Sequence, residues 1–452
     1  MRWLAALAAL ALSAPAPAKP EPVASVAVVH AGKTWTATYR LDQREPQWAF
    51  PHSRLPRESK TSWRLGSVRV LTPGVRLTRI GNYDALVAVR GNVPRQVRLA
   101  FTPFLPDIEA GNDAALGFSD GSVALYADEF RLLPIRSRAA LANASPDFSE
   151  LPAGDRPTRM TFADRTGPVL ARGHRQSVAR MNDGDTYVLF GRGDLQIGPA
   201  LTTVIDPGLP LWLDTYLKTA MPRILDTYHK RLGPSPSGQP TLMVAWGGPA
   251  QKGVSMSGSV LPGLVVMTFL GDGVTKPSDK LAHYARWFVS HEAAHFWLGQ
   301  AVAYSTPAES WITEGGAELL SFRATAAADP SFDFAARIGE ARDECTPFLA
   351  RPVATAFERD GDFRAYYACG AIIALAAERA SGGDFPGFVR ALIAGPGKDG
   401  IVTRGEWLAL LDARAPGLSS EVADLLDNPH ADPAAALNRF IDRTHIAAEF
   451  AR

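Results

Sequence analysis

The residues His291-Glu292-Ala293-Ala294-His295 spell H-E-x-x-H. On a helix, positions i and i+4 lie one turn apart on the same face, so both imidazoles can reach a single metal ion. Glu292 sits beside them, where its carboxylate can take a proton from an attacking water instead of binding the metal. This is the arrangement of zinc hydrolases. Ala293 and Ala294 between the ligands favour a regular helix. Zinc at a catalytic site needs a third protein ligand and a fourth position left open. After a gap of eighteen residues beyond His295 comes Glu314, inside Trp311-Ile312-Thr313-Glu314-Gly315-Gly316-Ala317-Glu318. A turn within Gly299–Pro307 lets a second helix fold back on the first, and the Glu314 carboxylate then closes a His-His-Glu set. Structural zinc would be expected to use cysteine, and neither Cys345 nor Cys369 is near.

The H-E-x-x-H pentapeptide, the gap of eighteen and the W-x-x-E-G setting together resemble the gluzincin zinc metallopeptidases of the aminopeptidase N family. The motif match covers about Phe288–Leu320, with weaker correspondence to about Gly370. The resemblance implies a thermolysin-like catalytic domain. It also implies one zinc ion per chain on His291, His295 and Glu314, Glu292 as general base, and a peptide substrate. By the same resemblance Glu309, five residues before Glu314, is a carboxylate that orients a metal ligand. Tyr367, in Tyr367-Ala368-Cys369-Gly370, falls on the tyrosine of the family's Tyr-x-Lys-Gly motif, with Cys369 at the lysine position. That tyrosine donates a hydrogen bond to the oxyanion formed during attack.

One part of the family pattern differs. A Gly-x-Met-Glu-Asn strand precedes the zinc helix in the family, and its Glu grips the substrate's free α-amine. Here the corresponding stretch is Gly253-Val254-Ser255-Met256-Ser257-Gly258, with no carboxylate between Ala250 and Gly271. Met256, Ser257 and Gly258 are the expected substrate strand, whose backbone can still pair with an extended peptide. A neutral serine cannot pair with an ammonium as a carboxylate does. The expectation is therefore a zinc metallopeptidase, an aminopeptidase by resemblance. An endopeptidase, a hydrolase of a non-peptide substrate and a catalytically silent exported binding protein stand as alternatives.

The elements that must hold these residues follow from pattern. From about Val23 to about Ile205 the chain reads as short strands, among them Thr34–Tyr39, Ser67–Leu71, Ala85–Val89, Gln96–Phe101 and Thr186–Phe190, punctuated by turn residues such as Asp120-Gly121. Arg131–Pro157 is irregular. After Pro207 an amphipathic helix is expected over Trp212–Leu232, then strands Thr241–Trp246 and Leu264–Leu270. Ser278 reads as the N-cap of a long helix to about Ala303. From Ser310 onward nearly everything reads as helix: Trp311–Ala327, Phe332–Phe348, Phe363–Ala380, Phe385–Ile393, Arg404–Ala413, Glu421–Leu426 and Pro433–Asp442. The fold class is multidomain α+β: a β-rich N-terminal domain (sandwich or open saddle-like sheet) over 19–205, a thermolysin-like α/β zinc domain over 206–330 and a helical region over 331–452. His283, two turns before His291, reads as a packing or capping residue, because a fourth protein ligand would block the open position.

Composition bounds the rest. A net charge of +1 removes any polybasic case for nucleic acid. Met1-Arg2, the apolar run Trp3–Ala14 and the small residues through Ala18 have the layout of a signal peptide over 1–18. The protein is thus expected to be exported, periplasmic or secreted. No later apolar stretch reaches spanning length. In an oxidising compartment Cys345 and Cys369 either form a disulfide or remain two buried thiols. A bridge would close a loop of about 25 residues and stabilise the fold by roughly 3 kcal/mol on the loop-entropy account.

Overall fold

The computed structural model describes residues 20–451 apart from 110, 152, 153, 155, 183, 199, 200, 237 and 357–362. The expected export segment, 1–18, lies outside the described residues.

The N-terminal strands bury alternate side chains, as in Ala24–Ala31 and Thr34–Leu41. Successive side chains of a strand point to opposite faces, so this pattern commits one face to a core. Ala24–Ala31 lies inside a six-stranded sheet, antiparallel to Thr34–Leu41 and parallel to Thr158–Asp164. A four-stranded sheet around Gln47–Phe50 and Tyr83–Ala88 and a five-stranded sheet around Val123–Tyr126 and Tyr187–Phe190 join it. One apolar cluster, with Val26, Tyr39, Trp48, Phe162 and Phe190, draws on all three sheets. The irregular stretch Arg131–Pro157 contains a short strand, Leu133–Ile135, and one helical turn, Arg138–Ala142.

The next sheet is of another kind. Thr202–Ile205, Thr241–Trp246 and Leu264–Leu270 run parallel, and Ser255–Leu261 closes one edge antiparallel to Leu264–Leu270. Thr202–Ile205 is buried throughout and Thr241–Trp246 nearly so, as expected of strands covered on both faces. Five helices frame the site or brace it: α1 (Leu211–Leu232), α2 (Asp279–Ala294), α3 (Trp311–Ala328), α4 (Phe334–Cys345) and α5 (Arg364–Ala380). Shorter helices, Phe385–Ala394, Arg404–Asp412, Leu418–Asp427 and Pro433–Arg443, come after them in the chain. A continuous apolar core runs from Leu201 through the sheet residues Val244 and Met267 to Ile441 and Ile446. Among the described residues no helix is long and apolar enough to cross a membrane.

Ser278 caps α2 as expected, its hydroxyl accepting from the Leu281 amide. The far end differs from expectation: α2 stops at Ala294 rather than near Ala303. The Phe296-Trp297-Leu298 run continues the apolar pattern, but the chain turns there and reaches Gly299 at φ +139°, a conformation open mainly to glycine. His283 pairs with Asp329 at 3.1 Å, beside Arg286, and so ties the start of α2 to the end of α3.

Helix α3 is buried on every side, from Trp311 to Thr325 with few exceptions. A helix apolar all round belongs inside a core, and here α2 and α5 flank it. The approach to α5 is backbone on backbone. A Cβ on Gly315 would fall on the backbone of Gly370, and one on Gly370 would lie 2.7 Å from the Trp311 carbonyl oxygen. Beside this crossing Cys369 of α5 is bonded to Cys345 at the end of α4, both fully buried. Of the two states open to these cysteines, the bridged one is observed. Gly370→Ala should force α3 and α5 apart and destabilise the protein by about 1–3 kcal/mol, the range for overpacked cores. Thermal unfolding measures this, and an unchanged midpoint would contradict the close crossing.

Candidate metal centre

Helix α2 delivers His291 and His295 one turn apart, and α3 delivers Glu314 in its first turn. The two Nε2 atoms are 3.1 Å apart. A single oxygen of Glu314, Oε2, lies 3.3 Å from the His291 Nε2 and 3.4 Å from the His295 Nε2. Bonds of about 2.0–2.1 Å in a tetrahedral zinc site set donors about 3.3 Å apart. The three donors thus stand at the spacing zinc requires, and their atoms form a metal-competent group.

The outward-facing nitrogens explain why both Nε2 atoms turn inward. His295 Nδ1 is 2.8 Å from the Leu298 carbonyl oxygen. That oxygen only accepts, so Nδ1 carries the proton and Nε2 keeps its lone pair. The Leu298 carbonyl is within reach because α2 ends at Ala294 and the chain curls back. His291 Nδ1 is 3.1 Å from Glu318 Oε2, which also accepts from the Trp287 indole at 2.8 Å. The other Glu318 oxygen accepts from Arg337 at 3.3 Å. A carboxylate behind a ligand histidine fixes its tautomer and raises its basicity.

Glu318, not Glu309, fills that position. Glu309 accepts from the Ser305, Thr306 and Arg404 amides and so staples the loop before α3 to the helix Arg404–Asp412. Its place in the loop, rather than a helical turn from Glu314, directs it away from the histidines. Glu318 is four residues after Glu314, the spacing that puts both on one helix face. That E-x-x-x-E signal was present in the sequence.

Electrostatics follow from burial. Burial pushes the Glu292 carboxyl above the usual range. Burial would raise Glu314 too, but the facing His295 and His291 hold it well below that range. Burial opposes charge on His291, while the carboxylates of Glu314 and Glu318 act the other way and raise its pKa. Burial and the neighbouring Glu314 push the Tyr367 phenol up, so it keeps its proton at neutral pH and remains a donor. The Tyr367 ring stacks on His291, 5.2 Å between centroids and 15° between planes.

Glu292, His295, Glu314 and Tyr367 all line one open cleft of about 770 Å³. Its other walls include Thr313, Tyr304, Pro236 and Asp185. The edge strand reaches the cleft through Ser259 and Val260, not through the expected Met256, Ser257 and Gly258. Met256 packs against the core, and Gly258 lies where a Cβ would meet the Phe288 ring of α2. The stretch that borders the cleft is the strand's second half, which Ser259 ties to Asn112 by a 2.7 Å hydrogen bond. Asp185, which accepts from the Tyr126 hydroxyl at 3.1 Å, is a cleft carboxylate that sequence reasoning missed. It precedes the strand Tyr187–Phe190, far along the chain from every motif.

No protein-family profile matches the chain, and no curated protein matches it in sequence. Solved structures do match in shape. An aminopeptidase N family protein from Idiomarina loihiensis superposes with a TM-score of 0.61 over 92% of this chain and 78% of its own, at 13% identity. Native leukotriene A4 hydrolase from Saccharomyces cerevisiae gives 0.51 over 92% of this chain and 68% of its own, at 14% identity. The yeast enzyme in complex with bestatin gives 0.51 over 91% and 68%, at 13% identity. Such identities speak to architecture alone: the chain carries, over nearly its whole length, the multidomain fold of the gluzincin aminopeptidase N family that its zinc motif resembles.

Proposed function

We propose that the protein is a zinc-dependent peptide hydrolase. The observation that carries this reading is the convergence of three donors at zinc spacing, two of which, His295 and Glu314, line an open cleft together with Glu292. A sealed structural site would need no cleft and no adjacent carboxylate. Zinc, when bound, supplies a Lewis acid for the scissile carbonyl and makes water acidic near neutral pH. His291, His295 and Glu314 would hold the ion, and Glu318 and the Leu298 carbonyl fix the orientation of the two imidazoles. Glu292 takes the proton of the attacking water and passes it to the departing amine nitrogen. Burial holds its carboxyl above the usual range, which makes it the stronger base for the first transfer. Tyr367, kept protonated, donates to the carbonyl oxygen as negative charge grows there.

The amine end of the substrate is the open part of this reading. Ser257 is neutral and stands away from the cleft wall. In an aminopeptidase, Asp185 is the carboxylate placed to meet a free ammonium, since it lines the same cleft as Glu292 and Glu314. The endopeptidase reading draws on the same facts, because the edge strand offers backbone and no charge to a peptide passing through. The protein acts outside the cytoplasm in either case. The apolar leader at Trp3–Ala14 and the joined Cys345 and Cys369 support that location.

Glu292→Gln should retain a full complement of zinc and lose activity by about 10²–10⁴-fold, the usual worth of a general base. Metal analysis with peptide turnover checks it, and an active, zinc-loaded Gln variant would rule out the role. Glu318→Gln should weaken zinc retention about 10–100-fold, read by competition with a chelator, while Glu309→Gln should not. Peptides with free and N-acetylated ends separate the two specificities. The aminopeptidase reading requires cleavage of free ends only and a raised KM in Asp185→Asn; equal cleavage of acetylated peptides selects the endopeptidase.

A further inference from the structure

The outer face of the six-stranded sheet carries a charge pattern that peptide hydrolysis does not use. Its strands lie in the order Ala179–Met181, Thr158–Asp164, Ala24–Ala31, Thr34–Leu41, Gln96–Phe101 and Val68–Val70. Alternate side chains of each strand point away from the core, and the register sets the outward ones side by side. Arg180 pairs with Thr161, Thr161 with Ala27, Ala27 with Thr38, and Thr38 with Arg98. In the next outward row Ser25 pairs with Arg159 on one side and Arg40 on the other. Arg69 faces Ala100 at the sheet's edge. Arg40, Arg69, Arg98, Arg159 and Arg180 are all exposed, and no Asp or Glu holds an outward position on these strands. Among the described residues no ion pair or guanidinium hydrogen bond engages any of the five. The whole chain is balanced, 47 Lys and Arg against 46 Asp and Glu, so this face separates charge instead of reflecting composition. Solubility alone is served by mixed signs, and like charges across a sheet repel.

The layers behind the face place it far from the metal donors. Its inward side chains, such as Val26 and Phe162, share a core with Leu125 and Val188 of the five-stranded sheet. The other side of that sheet, with Ala124 and Leu189, packs on Met243 and Val266 of the parallel sheet. The far side of the parallel sheet, with Val244 and Met267, shares its core with the helices that carry the donors. The arginines and the donors therefore lie on opposite sides of three stacked sheets. An extended object can rest on the first without covering the second.

The shape of the face selects the object. Between the arginines the outward side chains are short: Ser25, Ala27, Thr38 and Thr161. Neighbouring strands are about 4.8 Å apart, so the backbones of Arg180 and Arg98, four strands apart, are about 19 Å apart. A guanidinium meets a phosphate with two parallel N–H donors. No outward position holds an aromatic ring, on which the bases of a single-stranded nucleic acid stack. Nor does a helix project from the face to enter the groove of a duplex. A planar array of phosphates is what five arginines on one shallow face can engage together.

We infer that the outer face of the six-stranded sheet docks on an anionic lipid surface, its arginines pairing with headgroup phosphates while the metal donors stay on the far side. The contact is electrostatic and peripheral, so salt screens it. It stands or falls independently of the hydrolase reading.

The test is co-sedimentation of the full chain with vesicles of phosphatidylcholine alone and of phosphatidylcholine mixed with phosphatidylglycerol. The apolar stretch Trp3–Ala14 is common to every protein compared and does not read headgroup charge. The expected result is binding to the mixed vesicles at low salt, far weaker binding to the neutral ones, and loss of the difference at high salt. An arginine near an anionic surface is worth about fivefold in affinity, so Arg40→Gln/Arg98→Gln should weaken binding about 25-fold. Arg159→Gln/Arg180→Gln, on the same face, should act alike and replaces the first variant should that fail to accumulate. Arg379→Gln/Arg439→Gln removes the same charge from exposed positions in the helical region and should leave binding unchanged. Equal binding to neutral and anionic vesicles overturns the inference. So does an equal loss in the helical-region variant, which would leave only net charge at work. Heparin or duplex DNA held through the same arginines, with no binding to vesicles, would assign the face to a soluble polyanion and overturn it too.

Discussion

The centre of this protein is a set of carboxylates placed where carboxylates are costly. Glu314 and Glu318 both project from α3, a helix packed on nearly every side. A buried anion is tolerated only when hydrogen-bonded and paired. Glu318 meets this demand with the Trp287 indole, Arg337 and His291. Glu314 faces the two imidazole Nε2 atoms at 3.3 and 3.4 Å, where a cation held among the three would neutralise it. The surrounding architecture supplies those partners: α2 must bring its histidines down beside α3, and α4 must bring Arg337 behind Glu318. Removing any one partner would leave a charge stranded, so the pairing constrains how the helices pack.

Close helix packing and metal-site geometry are therefore one problem here. Because Glu314 and Gly315 are adjacent, the spacing of α3 from α5 and the position of the ligand carboxylate cannot be adjusted independently. Gly315 and Gly370 let the backbones touch, which lets Tyr367 on α5 stack on His291 of α2 across the end of α3. Larger residues at that crossing would lengthen the gap that the phenol has to span. The disulfide at Cys369 falls beside the same crossing.

What the sequence revealed of the site depended on whether the relevant geometry was local. His291 and His295 form a helical pair at i and i+4, and Glu314 follows a turn, so spacing sufficed. Glu318 obeyed the same periodicity, but on a helix an acidic residue reads equally as a solvated face until its neighbours are known. Glu309 attracted attention by its distance from Glu314 and belongs instead to a loop staple. The end of α2 was hidden because Phe296-Trp297-Leu298 prolongs an apolar helical pattern. Its consequence, a Leu298 carbonyl that orients His295, involves no side chain at all. The strands Thr241–Trp246 and Leu264–Leu270 were legible to the residue, since buried parallel strands are short apolar runs with sharp ends. How three N-terminal sheets share a core was not, because that arrangement depends on pairings such as Ala24 with Thr158.

Chemistry and specificity are built at different scales in this fold. The groups proposed to react come from α2, α3 and one turn of α5, all parts of a single core, so their relation is rigid. The cleft that would select a substrate draws on separate pieces: Asp185 from the loop before Tyr187–Phe190, Ser259 and Val260 from an edge strand, Tyr304 from the two-residue strand Ala303–Tyr304. Ser259 bonded to Asn112 shows that the edge strand is registered against the N-terminal sheets rather than against the helices alone. Ser257 on that strand is neutral and stands apart from the donors of α2 and α3. On the proposed reading, the donor set can therefore stay as it is while recognition changes, and a substrate would be selected by how the N-terminal sheets and the edge strand meet over the helices, not by the H-E-x-x-H motif.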